Sequence, residues 1–231
     1  MKKTGNGEEK TEDGTMDGYP LAGELCGSGE LRRQKDALRR EIRLRARVMD
    51  PEKRAASDRR IAEAVLRSVL WREAESVFLY VSVGSEPDTR GLLVRALGEG
   101  KRVYVPKCLP GPERIMLAVR IRSAGELVPG TLGIPEPLPD PEGRYETAEA
   151  RELDLMLIPC VTADRSGNRL GHGAGYYDRF LAPLAESLPL KTEIRRPALV
   201  CLCREELLSD RIPADGRDVR MDYVVPANPL P

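Results

Sequence analysis

The run LIPCVTADRSGNRLGHGAGYYDRF, Leu157 to Phe180, opens as a buried strand that ends near Cys160. It then turns through the polar Ala163-Asp164-Arg165-Ser166-Gly167-Asn168 and enters a helix near Tyr176. Between turn and helix stand Arg169, the glycines Gly171, Gly173 and Gly175, and the sole histidine, His172. An ordinary strand-to-helix connection needs one or two glycines, so this loop has backbone freedom to spare. Backbone N–H groups in such a turn, backed by a helix dipole, make an anion cradle. The loop lies beyond the carboxyl end of a strand, where α/β sheets place ligands.

The spacing matches neither the P-loop nor the dinucleotide fingerprint, because no Gly-Lys-Ser/Thr occurs and the glycines alternate. From the residues alone two readings stand. The loop is a phosphate cradle in which Arg169 supplies a planar donor, or it is a tight structural turn. Asp178 either holds Mg²⁺ beside phosphate oxygens or stabilises the helix dipole from the first turn. His172, having no second histidine, reads as a loop contact rather than a general base.

Outward from this stretch, Asp154 to Cys160 and Ala198 to Cys203 are apolar runs predicted as strands, with a helix from Tyr176 to Ser187 between them. Residues 212–226 read as a loop and a short strand around Met221 to Val225. Toward the amino end, Ser76 to Val83 is almost continuously apolar, as in a strand covered on both faces. A helix capped by Asp88 or Thr89 follows, then a strand from Arg102 to Val105, giving a parallel right-handed βαβ unit. Arg114 to Ile121 is a further strand, and residues 128–143 are too rich in Pro and Gly for helix or central strand. Leu31, Leu38, Ile42 and Met49 share one face of a basic helix over Glu30 to Met49. Asp50-Pro51 ends it and caps a second helix running to about Trp71. The pattern predicts an α/β/α layered single domain with a largely parallel, mixed central sheet. Residues 1–29 read as a flexible tail and residues 30–231 as the domain.

The 231 residues carry 37 basic and 37 acidic side chains, which disfavours a nucleic-acid partner. The first residues have no apolar core of a signal peptide, and no run is long enough to span a membrane, so a soluble, cytoplasmic protein is expected. Five cysteines, three of them in strand-like runs, read as reduced thiols; Cys201 and Cys203 read as packing, not a metal pair. Two more constellations have open readings. Lys35 and Arg39, four apart on one helix face, clamp a polyphosphate or form a solvated face. Glu86, beyond the carboxyl end of the Ser76–Val83 strand, meets a ligand or is a surface acid.

Leu157 to Leu181 resembles the signature of the 5-formyltetrahydrofolate cyclo-ligase (5,10-methenyltetrahydrofolate synthetase) family. The resemblance is a strand followed by Asp-x-x-Gly-x-Arg-Leu-Gly-x-Gly-x-Gly-Tyr-Tyr-Asp. Lys35 to Arg39, Ser85 to Thr89, Met116, Gly133 to Pro137, and Ile212 to Asp218 with Asp222 are similar to further family motifs in the same order. Pro87, Ala174, Arg217 and Pro226 depart from the family pattern without removing a charged site residue. The resemblance implies ATP- and Mg²⁺-dependent cyclisation of a folate; a monomer is expected. It implies ATP binding by Lys35, Arg39, Arg169, Leu170, Gly171, His172, Gly173, Ala174, Gly175, Tyr176 and Tyr177. It assigns Mg²⁺ to Asp178 and Asp218, and the folate to Val81, Glu86 and the His172–Tyr176 backbone. Arg169 and Tyr176 are the implied catalytic residues. Three rival readings are another ATP-using ligase or kinase, a non-catalytic folate or nucleotide binder, and an RNA binder using the basic helix.

Overall fold

The computed structural model describes residues 22–130, 133–186, 196–216, 218–226 and 228–231. The expected tail lies largely outside these residues, as do Ser187 and Arg217. Helix α1 is described from Ala22 and runs to Val48 (Ala22–Val48). Of the predicted stripe, Ile42 is buried and Leu38 and Met49 pack beside it, joined by Ala46, while Leu31 is not part of this cluster. The Asp50 carboxylate accepts from the backbone N–H of Glu52 and Lys53 at 2.8 and 3.0 Å and starts α2 (Pro51–Arg67). The second helix does not continue to Trp71. Ser68 is extended, and its Oγ accepts from the Trp71 N–H, ending α2 and opening α3 (Val69–Glu73).

A seven-stranded sheet forms the centre, in the order β11-β10-β7-β1-β2-β3-β6. Its strands are β1 (Ser76–Leu79), β2 (Arg102–Cys108), β3 (Met116–Ile121), β6 (Thr147–Ala148), β7 (Leu155–Pro159), β10 (Ala198–Leu202) and β11 (Tyr223–Val225). Strands β11, β10, β7, β1 and β2 are parallel, while β3 and β6 join antiparallel. Helix α4 (Arg90–Gly98) connects β1 to β2 and helix α5 (Tyr176–Glu186) connects β7 to β10. Two small ribbons complete the set, β4 (Leu127–Pro129) with β5 (Pro135–Pro137) and β8 (Thr162–Ala163) with β9 (Arg169–Leu170).

The continuous apolar runs reflect burial on both sides. Phe78, Met156 and Ile158 pack with Ile42 of α1 and Leu181 of α5. Val77, Leu79, Leu155 and Leu157 pack with Ile61, Val65, Trp71, Leu92 and Leu93 on the other face. Each such side chain contributes about 1.5–3 kcal/mol by leaving water. Register is pinned at the strand starts. Asp154 Oδ2 accepts from the N–H of Glu75 and Ser76 and from Ser76 Oγ at 2.9–3.0 Å.

Two strands depart by three or more residues from their predicted carboxyl ends. β1 stops at Leu79 rather than Val83, because local bonds replace the ladder. Thr89 Oγ1 donates to the Tyr80 carbonyl at 2.6 Å, and Val83 N–H donates to Glu86 Oε2 at 2.9 Å. β2 passes through Pro106 to Cys108, since β1 pairs only as far as Tyr104 and no ladder bond to it is lost.

Candidate active site

Strand β1 leads toward β2 on one side of the sheet, and β7 leads toward β10 on the other. The two lie side by side, so their onward chains diverge and leave a crevice beyond their carboxyl ends. Such a switch point is where doubly wound sheets hold ligands. A cleft of about 380 Å³ occupies it. Its lining includes Lys35, Arg39, Val81, Glu86, every residue from Arg169 to Asp178, and Asp218. The sequence-predicted site residues, drawn from α1, the turn after β1, the loop after β7 and the segment before β11, therefore all border one space.

The glycine loop is held from outside by arginines. Arg39 Nε donates to the Gly171 carbonyl at 2.8 Å, and Arg114 Nη1 to the Ala174 carbonyl at 2.7 Å. Gly173 has φ +100°, and a Cβ there would stand 3.3 Å from Arg39 Cζ. Gly167 (φ +87°) is more constrained, since a Cβ would come within 2.5 Å of the Met221 carbonyl oxygen. Asp164, buried, organises the polar turn by accepting from the N–H of Ser166, Asn168 and Ile212 at 2.9–3.0 Å.

Both carboxylates expected at a metal already face a cation. Arg169 Nη2 lies 2.6 Å from Asp178 Oδ1, with the guanidinium buried and the carboxylate half exposed. Arg169 also donates to the Pro159 carbonyl and sits 5.5 Å from the Tyr177 ring centroid, while its Nε is buried without a partner. Lys35 Nζ reaches both oxygens of Asp218 at 2.8 and 2.7 Å. Among the described residues no group of three or more His, Cys, Asp or Glu forms a metal cluster. Each carboxylate has the oxygen chemistry that a hard cation takes alongside phosphate and water.

Glu86 is nearly buried and accepts from His172 Nε2 at 3.1 Å. His172 thereby bridges the β1 and β7 loops. Tyr80 and Tyr177 line the same cleft, and burial holds both phenols well above the ordinary tyrosine range, with the Glu86 charge adding to it. The Tyr80 hydroxyl donates to the Pro87 carbonyl at 2.9 Å.

Sequence reasoning missed three contributors. Arg204, almost fully buried, forms a two-bond pair with Asp58 at 2.8 Å and donates to the Ser85 and Glu86 carbonyls, so it fixes the turn that carries Glu86. Arg114 steadies the glycine loop. The third is the pair Lys107–Glu136, 2.7 Å apart, with Glu136 buried at the cleft's edge. Only Glu136 had a signal, the Gly133 to Pro137 motif.

Residues 32–227 match the model of the 5-formyltetrahydrofolate cyclo-ligase family. The chain is 37% identical over 155 residues to the 5-formyltetrahydrofolate cyclo-ligase of Mycolicibacterium smegmatis, covering 65% of this chain and 72% of that one. To the Saccharomyces cerevisiae 5-formyltetrahydrofolate cyclo-ligase it is 29% identical over 202 residues, 83% and 94% of the two chains. Its fold matches the NMR structure of Aquifex aeolicus 5,10-methenyltetrahydrofolate synthetase with a TM-score of 0.66 at 24% identity, over 82% of this chain and 88% of that one. The family match spans the sheet, the glycine loop and every residue bordering the cleft, and the chain belongs to the 5-formyltetrahydrofolate cyclo-ligase family of enzymes.

Proposed function

We propose that this enzyme uses ATP and Mg²⁺ to cyclise 5-formyltetrahydrofolate to 5,10-methenyltetrahydrofolate, releasing ADP and phosphate. It does so as a monomer in the cytoplasm. The observation that carries the reading is the convergence of Lys35, Arg39, Glu86, Arg169, Asp178 and Asp218 on one cleft. In this chemistry the formyl oxygen takes the γ-phosphoryl group, the neighbouring amine nitrogen attacks the activated carbon, and phosphate leaves. No protein nucleophile is needed; positioning and charge neutralisation are. The site has that character, with cations, glycine N–H groups and tyrosines, and no Ser–His pair.

Lys35, Arg39 and Arg169, with the Leu170–Tyr177 backbone, would hold the polyphosphate. Asp178 and Asp218 would hold Mg²⁺, which supplies neutralisation of phosphate charge. The Lys35–Asp218 and Arg169–Asp178 pairs hold these groups in place beforehand, ready to exchange partners. Glu86, fixed by Arg204 and His172, would meet the folate beside Val81. Arg169 and Tyr176 lie where charge develops. Tyr80, Met116 and Ile134 give the cleft an apolar side that excludes water.

The test is direct. Purified protein with 5-formyltetrahydrofolate, ATP and Mg²⁺ is expected to develop methenyl absorbance with stoichiometric ADP. Neither product appearing would sink the proposal, and ADP formed only with a different small acid would replace it with another ligase or kinase.

A further inference from the structure

A second cavity, of about 510 Å³, adjoins the cleft. It is bounded by Arg43, Arg47 and Arg54 of α1 and α2, by Ser85 after β1, by Cys160 after β7, and by His172, which borders both cavities. Its cations face no carboxylate among the described residues. Arg43 Nη2 donates only to the His172 carbonyl, at 3.4 Å. Arg54 Nη2 donates to the Ala46 carbonyl at 2.7 Å, while its Nε is buried with no partner. Arg47 has neither hydrogen bond nor ion pair among the described residues, and no acidic residue lines the cavity. Of the α1 acids whose side chains are described, Glu30 pairs with Arg33, Asp36 with Arg39 and Glu41 with Arg45. Arg43 and Arg47, four residues apart, present two guanidinium groups along one helix face. Uncompensated arginines around a concave space focus positive potential into it.

We propose that Arg43, Arg47 and Arg54 form an anion site contiguous with the active cleft across His172, taking a carboxylate- or phosphate-bearing group of more than one negative charge. The guanidinium fork suits either group through paired N–H···O bonds. Two sources share this chemistry. One is the acidic glutamyl tail of a folate seated in the neighbouring cleft, a source that rests on the proposed function. The other is a free anion such as inorganic phosphate. No covalent step is involved.

Calorimetric binding without ATP tests the site independently of turnover. The probes are inorganic phosphate and 5-formyltetrahydrofolate bearing either a single glutamyl residue or a longer glutamyl chain. The variants are Arg47→Glu and the pair Arg43→Ala with Arg47→Ala; both positions are exposed, and thermal melting verifies the fold. At low salt at least one probe is expected to bind each variant about five-fold or more weakly than the parent protein. A larger loss for the longer glutamyl chain, with phosphate unchanged, supports the folate tail as the occupant. Loss of phosphate binding with both folates unchanged supports a free anion. Unchanged affinity for all three probes in both variants overturns the site. Failure of the parent protein to make methenyl product would remove the proposed function alone, since these readouts need no catalysis.

Discussion

Asp178 sits on the first turn of α5, where a carboxylate suits the helix dipole, yet its geometry is set by the buried Arg169. Asp178→Asn keeps an acceptor for Arg169 and removes the charge. Turnover at fixed Mg²⁺ is expected to fall about ten-fold or more, the order that follows from losing one preorganised charge-stabilising group. Titrating activity against Mg²⁺ checks it, and an unchanged magnesium dependence would remove Asp178 from the metal role. Arg204 makes a different kind of demand. Arg204→Met strands Asp58 and frees the Ser85 and Glu86 carbonyls. Denaturant unfolding should show a loss of about 3 kcal/mol, typical of breaking a buried pair. Asp58→Asn in the same chain should recover part of it, and the KM for the folate should rise more than kcat falls. Unaltered stability and KM would refute the positioning role. Arg204 was invisible in the sequence because Asp58, Ser85 and Glu86 lie over a hundred residues away. Asp178 was visible because its loop is local.

Helix α4 begins with a device the sequence left open between two residues. Thr89 stands at the cap position, but its hydroxyl is turned to the Tyr80 carbonyl, and Asp88 Oδ1 accepts from the Arg90 N–H at 3.0 Å. The Arg90 side chain beside Asp88 lowers the carboxyl from its ordinary 3.8 to about 2, with further help from the Arg90 N–H and Ser82. A depressed carboxylate contributes stability above its unfolded pKa, and that contribution is lost as pH falls through the folded one. Stability should therefore drop between about pH 4 and pH 2, and Asp88→Asn should flatten that part of the profile. Urea midpoints measured across this range decide it; identical slopes for both proteins would show that the Asp88–Arg90 pair is not coupled to folding. At the same scale, β1 illustrates why an apolar run overstates a strand. Tyr80 to Val81 remain buried after the ladder ends, so apolar composition reports cover and not pairing.

For the molecule as a whole, the cleft joins segments far apart in the chain, with Lys35 of α1 bonded to Asp218 across 183 residues. Ligand binding should thus stabilise the entire domain. With ATP and Mg²⁺ at about a hundred times Kd, linkage gives about 2.7 kcal/mol, which corresponds to a rise of about 5–10 °C in Tm. Lys35→Ala with Arg39→Ala should lose most of that rise, and an equal rise in both proteins would place the nucleotide elsewhere. By itself the sequence determined the element types, the α/β layering and the loop from Arg169 to Asp178. Periodicity, Asp50-Pro51 and clustered glycines act within a few residues of themselves, and the family motifs named the distant partners in order. Only the tertiary structure decided that β1 and β7 are neighbours with diverging connections, which opens the crevice. Only there did Asp218 and Asp178 prove paired with Lys35 and Arg169, did Arg204 reach Glu86, and did three arginines meet with no acid among the described residues. Pairing of parallel strands and burial of charge depend on contacts between segments that share no local pattern, so they emerge only when the sheet is assembled.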